Sequence, residues 1–204
     1  MANQKISELT EATNCTGAEL VSVVQGGTTK KAPLNTRIKA YFDTLYSTIA
    51  VSNALRNLVR VEKNSHTQYN TTIPLDNTIP QNTEGSEIFT VSITPTSAAN
   101  YIRVRAVVNF SQDAGAGSLI TAALFVDATA NAVAAAKSYS GTYDIWDGQI
   151  TIDYRVLAGS TTARTYKLRM GSNAGYSFTV SGRANAGLYG GVNISSMTVN
   201  EEPV

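Results

Sequence analysis

The sequence predicts a mainly β protein: a C-terminal antiparallel β-sandwich, jelly-roll-like, preceded by one long helix and an extended N-terminal segment. Three observations lead there. From about residue 86, apolar residues recur at every second position in short runs separated by Gly-containing clusters. That is how a sheet with one buried and one wet face reads. Between residues 36 and 60 no Gly or Pro occurs, and the apolar spacing changes to helical. Charged residues make up 15% of the 204, with Ser, Thr, Asn and Gly in their place, against roughly 25% in an average soluble domain. Such a composition suits many short strands and turns.

Residues 1–35 are polar, with two small apolar clusters, Ile6/Leu9 and Leu20/Val21/Val23/Val24. Gln25-Gly26-Gly27-Thr28 reads as a tight turn between two extended segments, because Gly supplies the positive φ of hairpin turns. The stretch is too small to bury a core of its own. It is expected to dock onto something else, with Ile6, Leu9, Leu20, Val21 and Val24 as its attachment contacts.

The helix over 36–60 opens at Thr36, a residue able to cap it. Ile38, Tyr41, Leu45, Leu55 and Val59 follow a heptad a/d pattern, with Thr48 and Ser52 as weak members. Phe42, Ile49 and Leu58 widen the apolar face. At ~1.5 Å per residue the helix would span roughly 37 Å. One reading lays it on a neighbouring domain; the other makes it a self-associating stalk. Polar flanks offer no partner surface, which favours the stalk.

Residues 61–85 read as a connector, with Asn64-Ser65-His66-Thr67, Pro74 and Pro80. The sandwich is expected over 86–204. Its strands are Phe89/Val91/Ile93, Ile102 to Phe110, Ile150 to Val156 and Tyr166/Leu168/Met170. Weaker candidates are Leu119–Val126, Ser177–Val180 and Val192–Val199. Turn clusters such as 113–117 and 171–175 separate them.

Composition excludes several function classes. A formal net charge of +1, from 16 Lys and Arg against 15 Asp and Glu, creates no field to gather nucleic acid or an anionic membrane. The basic clusters are short: Lys30-Lys31, and Arg103/Arg105, which alternate with apolar residues as on a solvated strand face. Cys15 stands alone, so no intramolecular disulfide can form. Met1-Ala2-Asn3-Gln4-Lys5 leads into no apolar run, and no stretch approaches a membrane span. A protein folded in the cytosol is expected, with any later exit by a route other than a signal peptide.

Few residues offer candidate chemistry. The single histidine, His66, has no nucleophile nearby in sequence, and no Gly-x-Ser-x-Gly elbow occurs. Cys/His metal sites fail on count, and no phosphate loop with its lysine appears. Carboxylate pairs Asp144/Asp147 and Glu84/Glu87 resemble chance neighbours more than an acid and base with separated pKa values. No catalytic residue, metal or cofactor is therefore expected. The most binding-like stretch is 139–148, where Tyr139, Tyr143 and Trp146 sit among polar residues and are candidate ligand contacts. Against that stands packing: Trp146 can plug one end of the sandwich, as large aromatics in β-proteins usually do.

Lys5-Ile6-Ser7-Glu8-Leu9-Thr10-Glu11-Ala12-Thr13, then Gly17-Ala18-Glu19-Leu20-Val21 and Val24-Gln25-Gly26-Gly27-Thr28-Thr29-Lys30-Lys31, resemble the N-terminal segment recurring in bacteriophage fibre and head-fibre proteins. Pro74 to Gly85 and Gly187-Leu188-Tyr189-Gly190-Gly191 look like the opening and closing segments of a β-domain of phage structural proteins. The resemblance implies a homotrimeric virion appendage, made in the host cytoplasm and joined to phage capsid or tail proteins. It is expected to be a non-enzymatic head fibre or capsid decoration protein, since the chain lacks a long repetitive shaft. A tail fibre contacting a host-surface saccharide or protein is the alternative, and a carbohydrate-acting enzyme on a trimeric scaffold the third.

Overall fold

The computed structural model describes residues 20–25, 28–33, 57–115, 117–139 and 145–204. The chain divides into two units, Met1–Ser52 and Asn53–Val204. In the first, β1 (Leu20–Gln25) pairs antiparallel with β2 (Thr28–Pro33), and Gln25 faces Thr28 across the turn. These are the two extended segments expected on either side of Gly26-Gly27, which lie outside the described residues. Leu20, Val21 and Val24 of the attachment set lie on β1, opposite Pro33, Ala32 and Thr29. Ile6 and Leu9 lie outside the described residues.

The second unit holds twelve strands among its described residues: β3 (Leu58–Lys63), β4 (Thr67–Tyr69), β5 (Ser86–Ile93), β6 (Tyr101–Gln112), β7 (Leu119–Val126), β8 (Ala134–Tyr139), β9 (Trp146–Leu157), β10 (Arg164–Ser172), β11 (Phe178–Val180), β12 (Gly182–Arg183), β13 (Ala186–Gly187) and β14 (Ser195–Glu202). One sheet runs β3-β14-β6-β9, with β11 and β4 extending it beside the end of β6 that β14 leaves free. The other runs β5-β10-β7-β8. All strand pairings are antiparallel. Among the eight principal strands the chain changes sheet at every connection except the β7–β8 hairpin. That alternation, with these two strand orders, is a jelly roll. The expected antiparallel sandwich is present.

The core lies between the sheets. Alternate residues of β6 (Ile102, Val104, Ala106, Val108, Phe110) face Phe89, Val91 and Ile93 of β5, Leu124 of β7, and Tyr166, Leu168 and Met170 of β10 across a buried cluster. Met197 and Val199 of β14 and Ile150 and Ile152 of β9 complete it. β7 is buried along almost its whole length, because its outer face is covered as well. There Ile73 packs with Ala123 and Phe125. The segment that carries Ile73 is held down by Asn82 N donating to Ala130 O (2.8 Å), Ala132 N to Pro80 O (2.9 Å) and Arg169 to Glu84 O (2.6 Å).

Two expectations need correction. The described residues contain no α-helix, and the end of the stretch read as helical, Leu58-Val59-Arg60, lies in β3. Val59 sits opposite Val199 in the sheet, so it is not a seam residue of a coiled coil. The reason is local: Leu-Val-Arg-Val-Glu-Lys alternates, and its two β-branched valines fit a pleated surface better than a helix. Ile38, Tyr41, Leu45 and Leu55 lie outside the described residues. The sandwich accordingly begins at Leu58 rather than at residue 86, and part of the supposed connector belongs to its sheet and its core.

Candidate functional site: a cleft beside the end of β9

β6 and β9 pair along twelve residues, so Asn109 faces Gln149 and Phe110 faces Gly148. Gln149 Nε2 donates to Asn109 Oδ1 (2.7 Å), and Asn109 Nδ2 donates to Ile194 O (2.8 Å). Asn109 thereby ties the segment before β14 to the sheet. Its backbone joins the same knot: Asn109 N donates to Ser195 Oγ (3.0 Å), and Ser181 N donates to Asn109 O (2.9 Å).

Between Ser181 and Ser195 the chain makes the short β12–β13 hairpin and a 3-10 turn, Tyr189–Gly191. Asp113 anchors this excursion from below. Its carboxylate accepts from Ala184 N (2.9 Å), Gln68 Nε2 (2.8 Å) and the Thr179 and Ser111 hydroxyls (2.5 Å each). The turn then overhangs the end of β9. A cleft of about 410 Å³ opens there, lined by Asn109, Phe110, Asp147, Gly148, Gln149, Gly182, Leu188, Tyr189 and Asn193. Arg183 Nη1 lies 3.5 Å from Asp147 Oδ2 at its edge.

Trp146 stands behind this cleft rather than in it. Its ring meets Phe110 edge-on at 5.4 Å, and its indole N–H donates to Gln112 Oε1 (3.1 Å). Gln112 is fully buried, and its amide nitrogen donates to Ala114 O (2.7 Å), to Gly115 O (2.6 Å) and to the Ser118 hydroxyl. Gly148 makes room for the ring: a Cβ there would come within 2.7 Å of Trp146 and 2.8 Å of Phe110. Tyr139 ends β8 with its side chain exposed. Tyr143 lies outside the described residues.

The carboxylates are not gathered. Glu84 Oε2 accepts from Gln81 N (2.9 Å), Glu87 lies 3.5 Å from Lys167 Nζ, and Asp147 belongs to the other sheet. Asp144 and Cys15 lie outside the described residues, and His66 rests against Gly182. Among the described residues no three His, Cys, Asp or Glu come together as metal ligands would. Arg103 and Arg105 lie on the wet face of β6. Arg103 binds Asp153 through two nitrogens (2.8 and 2.6 Å), and Arg155 binds Glu202 (2.8 Å) while stacking 3.6 Å above the Tyr101 ring. The Arg103 hydrogen bond holds the Asp153 carboxyl below the usual carboxylate range.

No family model matches the chain, and no curated protein does. Solved structures similar to it include the VP2 subviral particle of infectious bursal disease virus (TM-score 0.34, 11% identity, 91% of this chain and 42% of that one). The Gx strain of the same virus gives a TM-score of 0.33 at 12% identity, over 88% of this chain and 41% of that one. The enzymatically active domain of bacteriophage CBA120 tailspike protein 4 gives 0.28 at 13% identity, over 69% and 19%. This chain thus spans about two fifths of the length of the two infectious bursal disease virus chains. Likeness of that degree says nothing of its role.

Sequence reasoning pointed at residues 139–148 and missed Asn109, Leu188, Tyr189 and Asn193. Tyr189 carried a legible signal, a bulky aromatic directly before Gly190-Gly191. Asn109 carried none, since a polar residue alternating on a strand reads as solvated surface.

Proposed function

We propose that this protein is a non-enzymatic structural component of a bacteriophage virion: a short homotrimeric head fibre or capsid decoration protein, anchored by its N-terminal stretch and presenting the sandwich outward. The observation that carries this reading is the division of the chain. Residues 53–204 form a unit with its own jelly-roll core, while the phage-like attachment motifs fall in the separate unit 1–52. A displayed domain behind a small anchoring segment needs that arrangement. Jelly rolls also serve as capsid and lectin domains, an analogy of fold that supports a role in display and specifies no chemistry.

The test is incorporation. A chain lacking residues 1–35 is expected to remain folded and to be missing from purified particles. If it still joined them, attachment would belong to the sandwich. Sedimentation of the full chain is expected to give a trimer, and a stable monomer near 21.7 kDa would reject that part of the reading. Labelled protein on the head in a low-resolution virion image is the expected outcome; label on the tail would replace the decoration role with the fibre role.

A further inference from the structure

We infer that the cleft beside the end of β9 binds a neutral saccharide, with Tyr189 as its stacking platform. The inference goes beyond the structural role proposed above and holds for either site of attachment.

Tyr189 has φ +51°, in the left-handed region. For a residue with a side chain that region costs roughly 1–2 kcal/mol, and for a bulky one it is an outlier that calls for a reason. Glycine occupies the next two positions, and both are left-handed as well, with φ +64° and +92°. At Tyr189 a glycine would remove the strain. The ring does not offset it by burial, because the residue is 77% exposed and apolar area left in water contributes nothing to the fold. Ala184 and Asn185 in the same excursion are left-handed too, so what sets Tyr189 apart is a large aromatic residue left in solvent among the residues that line the cleft.

The lining of the cleft selects the class of ligand. Asn193 offers a side-chain amide, both donor and acceptor, and Gln149 its amide oxygen, while the Asn109 amide is held by Gln149 and Ile194. Asp147 adds a carboxylate whose charge is balanced by Arg183 at 3.5 Å. The lining is therefore polar and close to neutral. Paired donors and acceptors match adjacent sugar hydroxyls, while an aromatic face matches the C–H face of a pyranose. A phosphorylated or polyanionic ligand would meet Asp147 without an excess of cations. A cleft of about 410 Å³ is within the range of small-ligand sites.

The experiment uses the full chain on an immobilised panel of short neutral oligosaccharides built from hexose and N-acetylhexosamine units. Hits are repeated in solution by saturation-transfer NMR. At least one member is expected to bind, and Tyr189→Gly is expected to weaken that binding at least tenfold while melting at the same temperature or higher. Asn193→Ala, whose side chain lines the cleft, is expected to weaken it too. The inference is overturned if no panel member binds, or if Tyr189→Gly binds as the parent does. It is also overturned if Tyr189→Gly sediments as a smaller species, since Tyr189 would then belong to a contact between copies of this chain. Any of these failures leaves the incorporation test of the virion role untouched.

Discussion

At the scale of single residues, Glu201 shows how this fold holds a carboxylate out of water with neutral donors. It is 3% exposed, and its oxygens accept from Asn57 Nδ2 (2.5 Å), Thr96 N (2.9 Å), Thr96 Oγ1 (2.9 Å), Ser97 N (3.2 Å) and Asn100 Nδ2 (2.7 Å). Burial alone would raise the pKa, but the hydrogen bonds outweigh it and hold the group at about 2, below its ordinary 4.5. Because the folded value lies below the unfolded one, the stabilisation is complete above about pH 4.5 and is lost as pH falls towards 2. By linkage it amounts to about 3 kcal/mol at neutral pH. Glu201→Gln should therefore be less stable than the parent in urea at pH 7, with the gap closing between pH 5 and pH 2. A gap that stays constant across that range would falsify the account. Tyr166 makes the opposite case. It is fully buried, and its hydroxyl has no hydrogen-bond partner among the described residues. Removing an unsatisfied buried hydroxyl relieves its desolvation cost, so Tyr166→Phe is expected to melt at or above the parent temperature. A loss of more than about 1 kcal/mol would point to a partner for that hydroxyl.

At the scale of elements, the first half of β9 works as a unit with the end of β6. Trp146 folds over Gly148 onto Phe110 and closes the hydrogen-bond set of Gln112. Trp146→Ala would remove a half-buried ring and one of the partners of a buried amide. A loss of about 2–4 kcal/mol is expected from thermal melts. Gly148→Ala should also destabilise, because its methyl has no room beside that ring. The two effects are expected to couple: Gly148→Ala should cost less in the Trp146→Ala background, by an amount in the range of roughly 0.5–3 kcal/mol seen for residues in contact. Full additivity would show that the ring does not occupy the space above Gly148. β8 illustrates a limit of reading elements from sequence. Its Ala134-Ala135-Ala136-Lys137 would score as helix by propensity alone. It becomes a strand because the β7 hairpin supplies its hydrogen-bond partners, with Ala134 and Ala136 turned towards the core.

At the scale of the whole molecule, the jelly roll draws almost all its pairings from residues distant in sequence. β14 inserts between β3 and β6, and β10 between β5 and β7. Neither sheet is complete until late parts of the chain have arrived, so folding is expected on the millisecond-to-second scale of high-contact-order β-domains. Stopped-flow refolding complete within microseconds would contradict this topology. The fragment Asn53–Val204 is expected to fold cooperatively without residues 1–52, because the described core residues all belong to it. Its melting temperature should lie within a few degrees of that of the full chain. A fragment that aggregates or unfolds without cooperativity would make the N-terminal unit part of the sandwich's stability.

The alternation on β5, β6, β9 and β10 determined by itself that the protein would be an antiparallel sandwich, and the residues flanking Gly26-Gly27 that β1 and β2 would be extended. Both features depend on near neighbours along the chain, where period and turn chemistry act directly. Tertiary structure decided whatever depends on residues far apart. Leu58 to Lys63 alternates as a strand does, but only β14 decided where it pairs and that it joins the sandwich. The donors of Glu201 converge from positions 57 and 96–100, and the cleft joins Asn109, Gln149 and Tyr189 from three separate segments. No local pattern encodes such meetings, because they exist only once the two sheets have closed over a common core.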